Sequence, residues 1–166
     1  DMNCTWDMND VLEAKDFFKE NNIFMVEEPI RSDDIAGYKR LTKEMGSIRV
    51  AGIESEQGLS RFGELIAEEA MDVVQASLGW AGGFTACKNI ATLAHAFDKL
   101  YTPHSFFSAV MTAANIQLAA SQVNIPFIEA EENENPLRTE LLKEPIEADA
   151  HMNYYVTDKP GLGVEL

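Results

Sequence analysis

Three acidic residues set at nearly one interval constrain this chain most: Asp1 at the head of DMN, Glu27 in VEEP and Glu54 in GIES, 26 and 27 residues apart. A strand, a crossover helix and the two loops between them take about 25–30 residues. Acids recurring at that period fall at the same end of neighbouring parallel strands. Three carboxylates meeting there make an oxygen-rich site for a hard divalent cation such as Mg²⁺, which takes few protein carboxylates and leaves positions open to substrate oxygens. Spacing alone also admits three unrelated loop acids, in a chain with 28 Asp and Glu among 166 residues.

Between these acids helix and strand alternate. Asn9 is placed to cap a helix over 10–21 that turns Val11, Ala14 and Phe18 to one face. The apolar run 23–26 has strand length and is closed by Glu27-Glu28-Pro29, as a buried parallel strand would be. Ser32 is placed to cap a helix over 33–45 that Gly46 ends, and a strand over 48–51 delivers Glu54. The unit recurs as helix 59–70 with strand 72–75, then as helix 85–99 after Gly82-Gly83 with a short strand at 100–102 that leads to Pro103-His104. An apolar helix over 105–121 and a last strand, 126–129, complete the pattern, and residues 131–166 are polar and turn-rich. Strands each followed by a helix indicate a parallel α/β protein. Acids after several successive strands favour a barrel over a doubly wound sheet, whose site gathers at one switch point.

Composition excludes several classes. With 46% hydrophobic and 25% charged residues the chain has a core to bury. A net charge of −15, with 13 Lys and Arg scattered along the sequence, leaves no basic surface for nucleic acid. Cys4 and Cys87 belong to no CxxC or Cys/His cluster and read as free thiols of a reducing compartment. No apolar run is long enough to span a membrane, and the expected location is cytoplasmic.

DMN at 1–3, VEEP at 26–29, AGIES at 51–55, Gly82-Gly83, TPH at 102–104 and PGLGVEL at 160–166, in that order, resemble the enolase superfamily, mandelate racemase subgroup, over essentially the whole chain. The resemblance implies a partial TIM-type (β/α)₇β barrel. Residues 1–131 would supply roughly strands 4 to 8 with their helices, and 132–166 a polar segment that packs on an N-terminal capping domain absent from this sequence. It implies Mg²⁺ held by Asp1, Glu27 and Glu54. Glu56 competes with Glu54, being two residues on and so on the same face of an extended segment; the GxES context favours Glu54.

His104 takes the position of a histidine that the subgroup pairs with an aspartate on the preceding strand, and Ser77 stands where that aspartate would be. A serine can accept a hydrogen bond but carries no charge, so His104 is expected to be a weaker base. Glu129 matches an acid that hydrogen-bonds the substrate carboxylate or acts as electrophile, with a solvated loop acid as the alternative. His95 and His151 attract no role. Residues 73–78 lack the catalytic lysine of the muconate cycloisomerase subgroup, and the Lys-x-Lys motif of the second strand is also absent.

The activity implied for the parent enzyme is that of a Mg²⁺-dependent acid-sugar dehydratase, a carbon–oxygen lyase that removes the α-proton next to a carboxylate and stabilises the enediolate. A 2-hydroxy-acid racemase or epimerase is the alternative, and a non-catalytic metal-binding remnant, motivated by Ser77, is a third reading. The expected partner is a small-molecule sugar acid or 2-hydroxy acid, with no nucleic acid and no membrane. Open sheet edges disfavour a lone part-barrel as a stable monomer, so this stretch by itself is expected to be inactive, with a poorly formed site; the parent is expected to be a homo-oligomer.

Overall fold

The computed structural model describes residues 1–131 and 133–166. Helices α1 (Met8–Glu13) and α2 (Lys15–Glu20) lead into β1 (Met25–Glu27). Helix α3 (Ile35–Met45) crosses to β2 (Arg49–Gly52), α4 (Leu59–Ala67) to β3 (Val73–Val74), and α5 (Gly83–Ala96) to β4 (Leu100–Tyr101). Helices α6 (Ala109–Ala120) and α7 (Pro136–Thr139) follow. The strands are all parallel and lie side by side in chain order. An order without reversal has no switch point, so the sheet winds in one sense, as a barrel does.

The register sorts the side chains. Glu27 pairs with Ala51, Ala51 with Val73 and Val73 with Leu100, which puts these four on one face of the sheet. Val26, Val50, Val74 and Tyr101 share the other face and join Tyr38, Leu41, Phe62, Leu65 and Ile90 of the helices in one buried core. Glu27 is thus on the face away from the helical layer. The helices are set by local chemistry: Asp34 caps α3 by accepting from the Gly37 N–H at 2.9 Å, and Gly46, at φ 69°, ends it.

Three expectations need correction, the first being the cap of α3, which is Asp34 and not Ser32. The helix expected over 10–21 is two short helices meeting at Ala14, and its cap is Asp7, which forms a reciprocal capping box with Asp10. The strand expected at 126–129 does not form. The Tyr101 N–H donates to the Asn124 carbonyl at 3.0 Å, and the Asn124 amide ties the carbonyls of Ala91 and Lys99. Pro126 then has no N–H with which to continue a ladder. The segment boundary expected at position 132 lies outside the described residues. Cys4 and Cys87 are free thiols, and no helix among the described residues is long and apolar enough to cross a membrane.

The core makes a direct stability prediction. Phe62 is fully buried between α4 and the sheet, so Phe62→Ala should lower unfolding free energy in urea by about 3–5 kcal/mol, whereas Val123→Ala at the surface should stay within about 0.5 kcal/mol.

Candidate active site

At the C-terminal ends of the strands a cleft of about 600 Å³ is lined by Asp1, Glu27, Glu54, His104 and Glu129, with Trp80, Phe106 and Phe107 along it. Glu27 is the last residue of β1. Its ladder partner is Ala51, so Glu54 lies three residues beyond the matching position and reaches the cleft through a bend. Gly52 sits at φ 136° and Ile53 at φ 62°. A Cβ on Gly52 would come within 2.9 Å of the Tyr38 hydroxyl oxygen, which glycine avoids. A β-branched residue in the left-handed region is rare and costs about 1–3 kcal/mol, strain that concentrates at functional turns. Glu56, the competitor, is drawn off by Arg61 at 3.1 Å.

Backbone hydrogen bonds hold the chain next to Asp1 against the end of β1. The Met2 N–H donates to the Glu27 carbonyl at 2.9 Å and the Cys4 N–H to the Glu28 carbonyl at 2.8 Å, holding the first residues beside the end of β1. The Asp1 carboxylate accepts from the Asn3 backbone N–H and side-chain amide, each at 2.7 Å.

His104 stands between two carboxylates. Its Nδ1 lies 2.7 Å from Glu54 Oε2 and 3.2 Å from Glu129 Oε2, although its N–H is aligned with neither oxygen, so the attraction is one of charge. Burial works against the charged imidazolium, but Glu129 and Glu54 outweigh it and raise His104 to about 10. Burial also pushes the Glu27 carboxyl up, and the nearby charges of Glu129 and Glu54 add to it, against an opposing hydrogen bond from Gln75, to about 7. Glu129 is held at both oxygens: Oε1 accepts from Gln75 Nε2 at 2.8 Å and Oε2 from the Ser105 N–H at 2.7 Å. Glu27, His104 and Glu129 offer ligand atoms within 4.8 Å of one another, a possible metal-ligand group.

The donor chemistry fits a hard cation. The Glu54 carboxylate adds to the cost of ionising Glu27, Asp1 lines the same cleft, and oxygen donors of this kind suit Mg²⁺.

Ser77 is not joined to His104 by a hydrogen bond among the described residues. Its hydroxyl accepts from the Gly79 N–H at 3.2 Å, and its carbonyl accepts from the N–H groups of Trp80 and Ala81. The negative charge beside the imidazole comes from Glu54 and Glu129 instead. The sequence reading missed Gln75, Trp80 and Phe107. Only Gln75 carried a signal, as a polar residue closing an apolar strand.

Over residues 1–166 the chain matches the protein-family model described as enolase C-terminal domain-like. It belongs to that family. This enolase-type domain is 31% identical over 163 residues to an arabinonate dehydratase of Saccharolobus solfataricus, covering 98% of this chain and 43% of the relative. It is 34% identical over 150 residues to a D-galactarolactone cycloisomerase of Agrobacterium fabrum, covering 84% of this chain and 39% of the relative. The crystal structure of the 3,6-anhydro-D-galactonate cycloisomerase of Zobellia galactanivorans superposes with a TM-score of 0.91 at 30% identity, over 99% of this chain and 46% of that one. The chain therefore spans less than half the length of these relatives, and it matches the barrel part of larger enzymes.

In metal-free buffer the enolase-type domain should lose stability as pH rises. Both Glu27 and His104 have folded-state values above their ordinary 4.5 and 6.5, so each contributes most below its ordinary value and loses that contribution through about 7 and about 10. Thermal melts should fall from pH 5 to pH 10, and Glu27→Gln should flatten the part between about 4.5 and 7. A Glu27→Gln profile that overlays the parent's would show that Glu27 is not perturbed.

Proposed function

We propose that this chain carries the reacting centre of a Mg²⁺-dependent acid-sugar dehydratase. The observation behind the reading is the convergence of Glu27, Glu54, Glu129 and His104 on one cleft at the strand ends. Glu27 and Glu54, with Asp1, would hold the ion. When bound, it supplies fixed positive charge against the anion that develops as the α-proton leaves a substrate carboxylic acid.

Among the described residues His104 is the only imidazole lining the cleft, and it stands within reach of a reacting carbon or hydroxyl placed there. Neutral His104 takes the α-proton from the substrate carbon and, as the imidazolium that Glu54 and Glu129 support, gives it to the departing β-hydroxyl; in racemisation it would exchange the α-proton instead. Breaking the α C–H bond and releasing the β-hydroxyl as water leaves an enol, which becomes a 2-keto acid. Glu129, fixed by Gln75 and the Ser105 N–H, orients the imidazole and meets the polar end of the substrate. The arabinonate dehydratase relative supports dehydration over racemisation, in which the hydroxyl would stay and the proton would return. In this reading Ser77 serves the loop and supplies no charge to the histidine.

The test is a panel of acid sugars incubated with the full chain and Mg²⁺ and assayed for 2-keto product. One or more should be converted, and His104→Asn should reduce turnover by about 10²–10⁴-fold with Mg²⁺ affinity retained. Glu27→Gln should weaken Mg²⁺ binding in calorimetry. Silence across the panel, together with no activity gained on changing Ser77→Asp, would refute the dehydratase reading; unchanged Mg²⁺ affinity in Glu27→Gln would refute the ligand assignment.

A further inference from the structure

Glu28 is a buried acid that the proposed chemistry does not use. It is 9% exposed, and among the described residues no Lys or Arg pairs with it. A carboxylate taken out of water without a cation costs more than an apolar side chain in the same place, so its contacts must account for it. Its Oε2 accepts from the Cys4 thiol at 3.0 Å. Burial, and then Glu28 itself, push that thiol up to about 11, so at neutral pH it keeps the proton it donates. The backbone of Glu28 is engaged on both sides as well: its carbonyl accepts from the Cys4 N–H at 2.8 Å, and its N–H donates to the Ala51 carbonyl at 3.1 Å.

These contacts reach each stretch that carries one of the three proposed Mg²⁺ ligands. Glu27 is the preceding residue, and Cys4 follows Asp1 by three positions. Asn3 at φ 47°, Cys4 at φ 59° and Glu28 at φ 40° are all left-handed, a conformation that in non-glycine residues collects at functional turns. Gly52 opens the bend that delivers Glu54, and a Cβ there would meet Glu28 Cγ at 3.0 Å and Glu28 N at 3.2 Å. The Glu28 stem fills the space that glycine leaves. One side chain thus lies against the backbone of the Glu54 bend and holds the thiol of the Asp1 segment.

We propose that Glu28 is a positioning residue for the metal site, gripping the Asp1 segment through the Cys4 thiol and seating it against the bend of Glu54. The inference rests on the Mg²⁺ site proposed above. Hydrogen bonds behind a metal ligand fix how it is presented, and their loss weakens metal binding without removing a ligand. Loss of the thiol contact leaves the Asp1 segment on its backbone hydrogen bonds to Glu27 and Glu28, so the effect should fall on Asp1 and spare Glu27 and Glu54.

Calorimetric titration of Mg²⁺ into the full chain tests this, with urea unfolding of every variant as the control on the fold. Glu28→Ala should weaken Mg²⁺ binding by about 10–100-fold. Cys4→Ala should weaken it by about 3–10-fold with a urea midpoint close to the parent's, and Cys4→Ser, which keeps a donor, should restore most of the loss. In an Asp1→Ala background Cys4→Ala should cost less than about 2-fold more, because the ligand it positions is already gone; a thiol that merely stabilised the fold would weaken Mg²⁺ binding there as much as in the parent. Unchanged Mg²⁺ affinity in Cys4→Ala, or an equal loss in the Asp1→Ala background, would overturn the proposal, and both arms stand even if Glu28→Ala does not fold. Absence of Mg²⁺ binding from the parent would refute the function on which the inference rests, whereas binding that is intact in the parent and indifferent to Cys4 and Glu28 refutes the inference alone.

Discussion

Repulsion among carboxylates held at one end of the sheet is the constraint on which the site depends. Two unit charges about 5 Å apart repel by roughly 3 kcal/mol at an effective dielectric of about 20. Glu27, Glu54 and Glu129 are half-buried and cannot swing into bulk water to escape one another. His104 answers part of this charge by sitting between Glu54 and Glu129, and the raised Glu27 carboxyl shows that one imidazolium is not enough. A divalent cation held there, as proposed, would relieve the remainder and return Glu27 to its charged form. In this sense the fold stores a demand for positive charge.

The backbone enforces that demand through means distributed over the chain. Strand order places each carboxylate on its own strand end or loop, while the helical layer closes the opposite face with an apolar core. The left-handed turn at Gly52 and Ile53 delivers Glu54, the buried Gln75 amide and the Ser105 N–H hold Glu129, and two backbone hydrogen bonds seat Asp1 beside β1. Packing and outer hydrogen bonds of this kind fix the orientation of the side chains that line the cleft.

Much of this was legible in the sequence because two periodicities are local. The recurrence of acids marked neighbouring strand ends, and alternating helix and strand gave the parallel class. The register was not legible: Glu27 pairs with Ala51, and the three further residues to Glu54 are absorbed by a bend that no propensity scale would put on an isoleucine. The strand at 126–129 looked sound as an apolar run, yet Pro126 and the Asn124 bridge to α5 end the ladder before it. Ser77, Gln75 and Trp80 lie just past β3, where the two-residue alternation has ended and side-chain direction depends on turn geometry. Their placement emerged only with the hydrogen bonds.

A Mn²⁺ soak of crystals of the full chain, read by anomalous scattering, tests the central claim most directly, since Mn²⁺ takes the same oxygen donors as Mg²⁺. The account predicts one strong peak in the cleft within bonding distance of Glu27 and Glu54, lost in Glu27→Gln. A cleft without a peak at saturating Mn²⁺, or a peak that persists unchanged in Glu27→Gln, would contradict it.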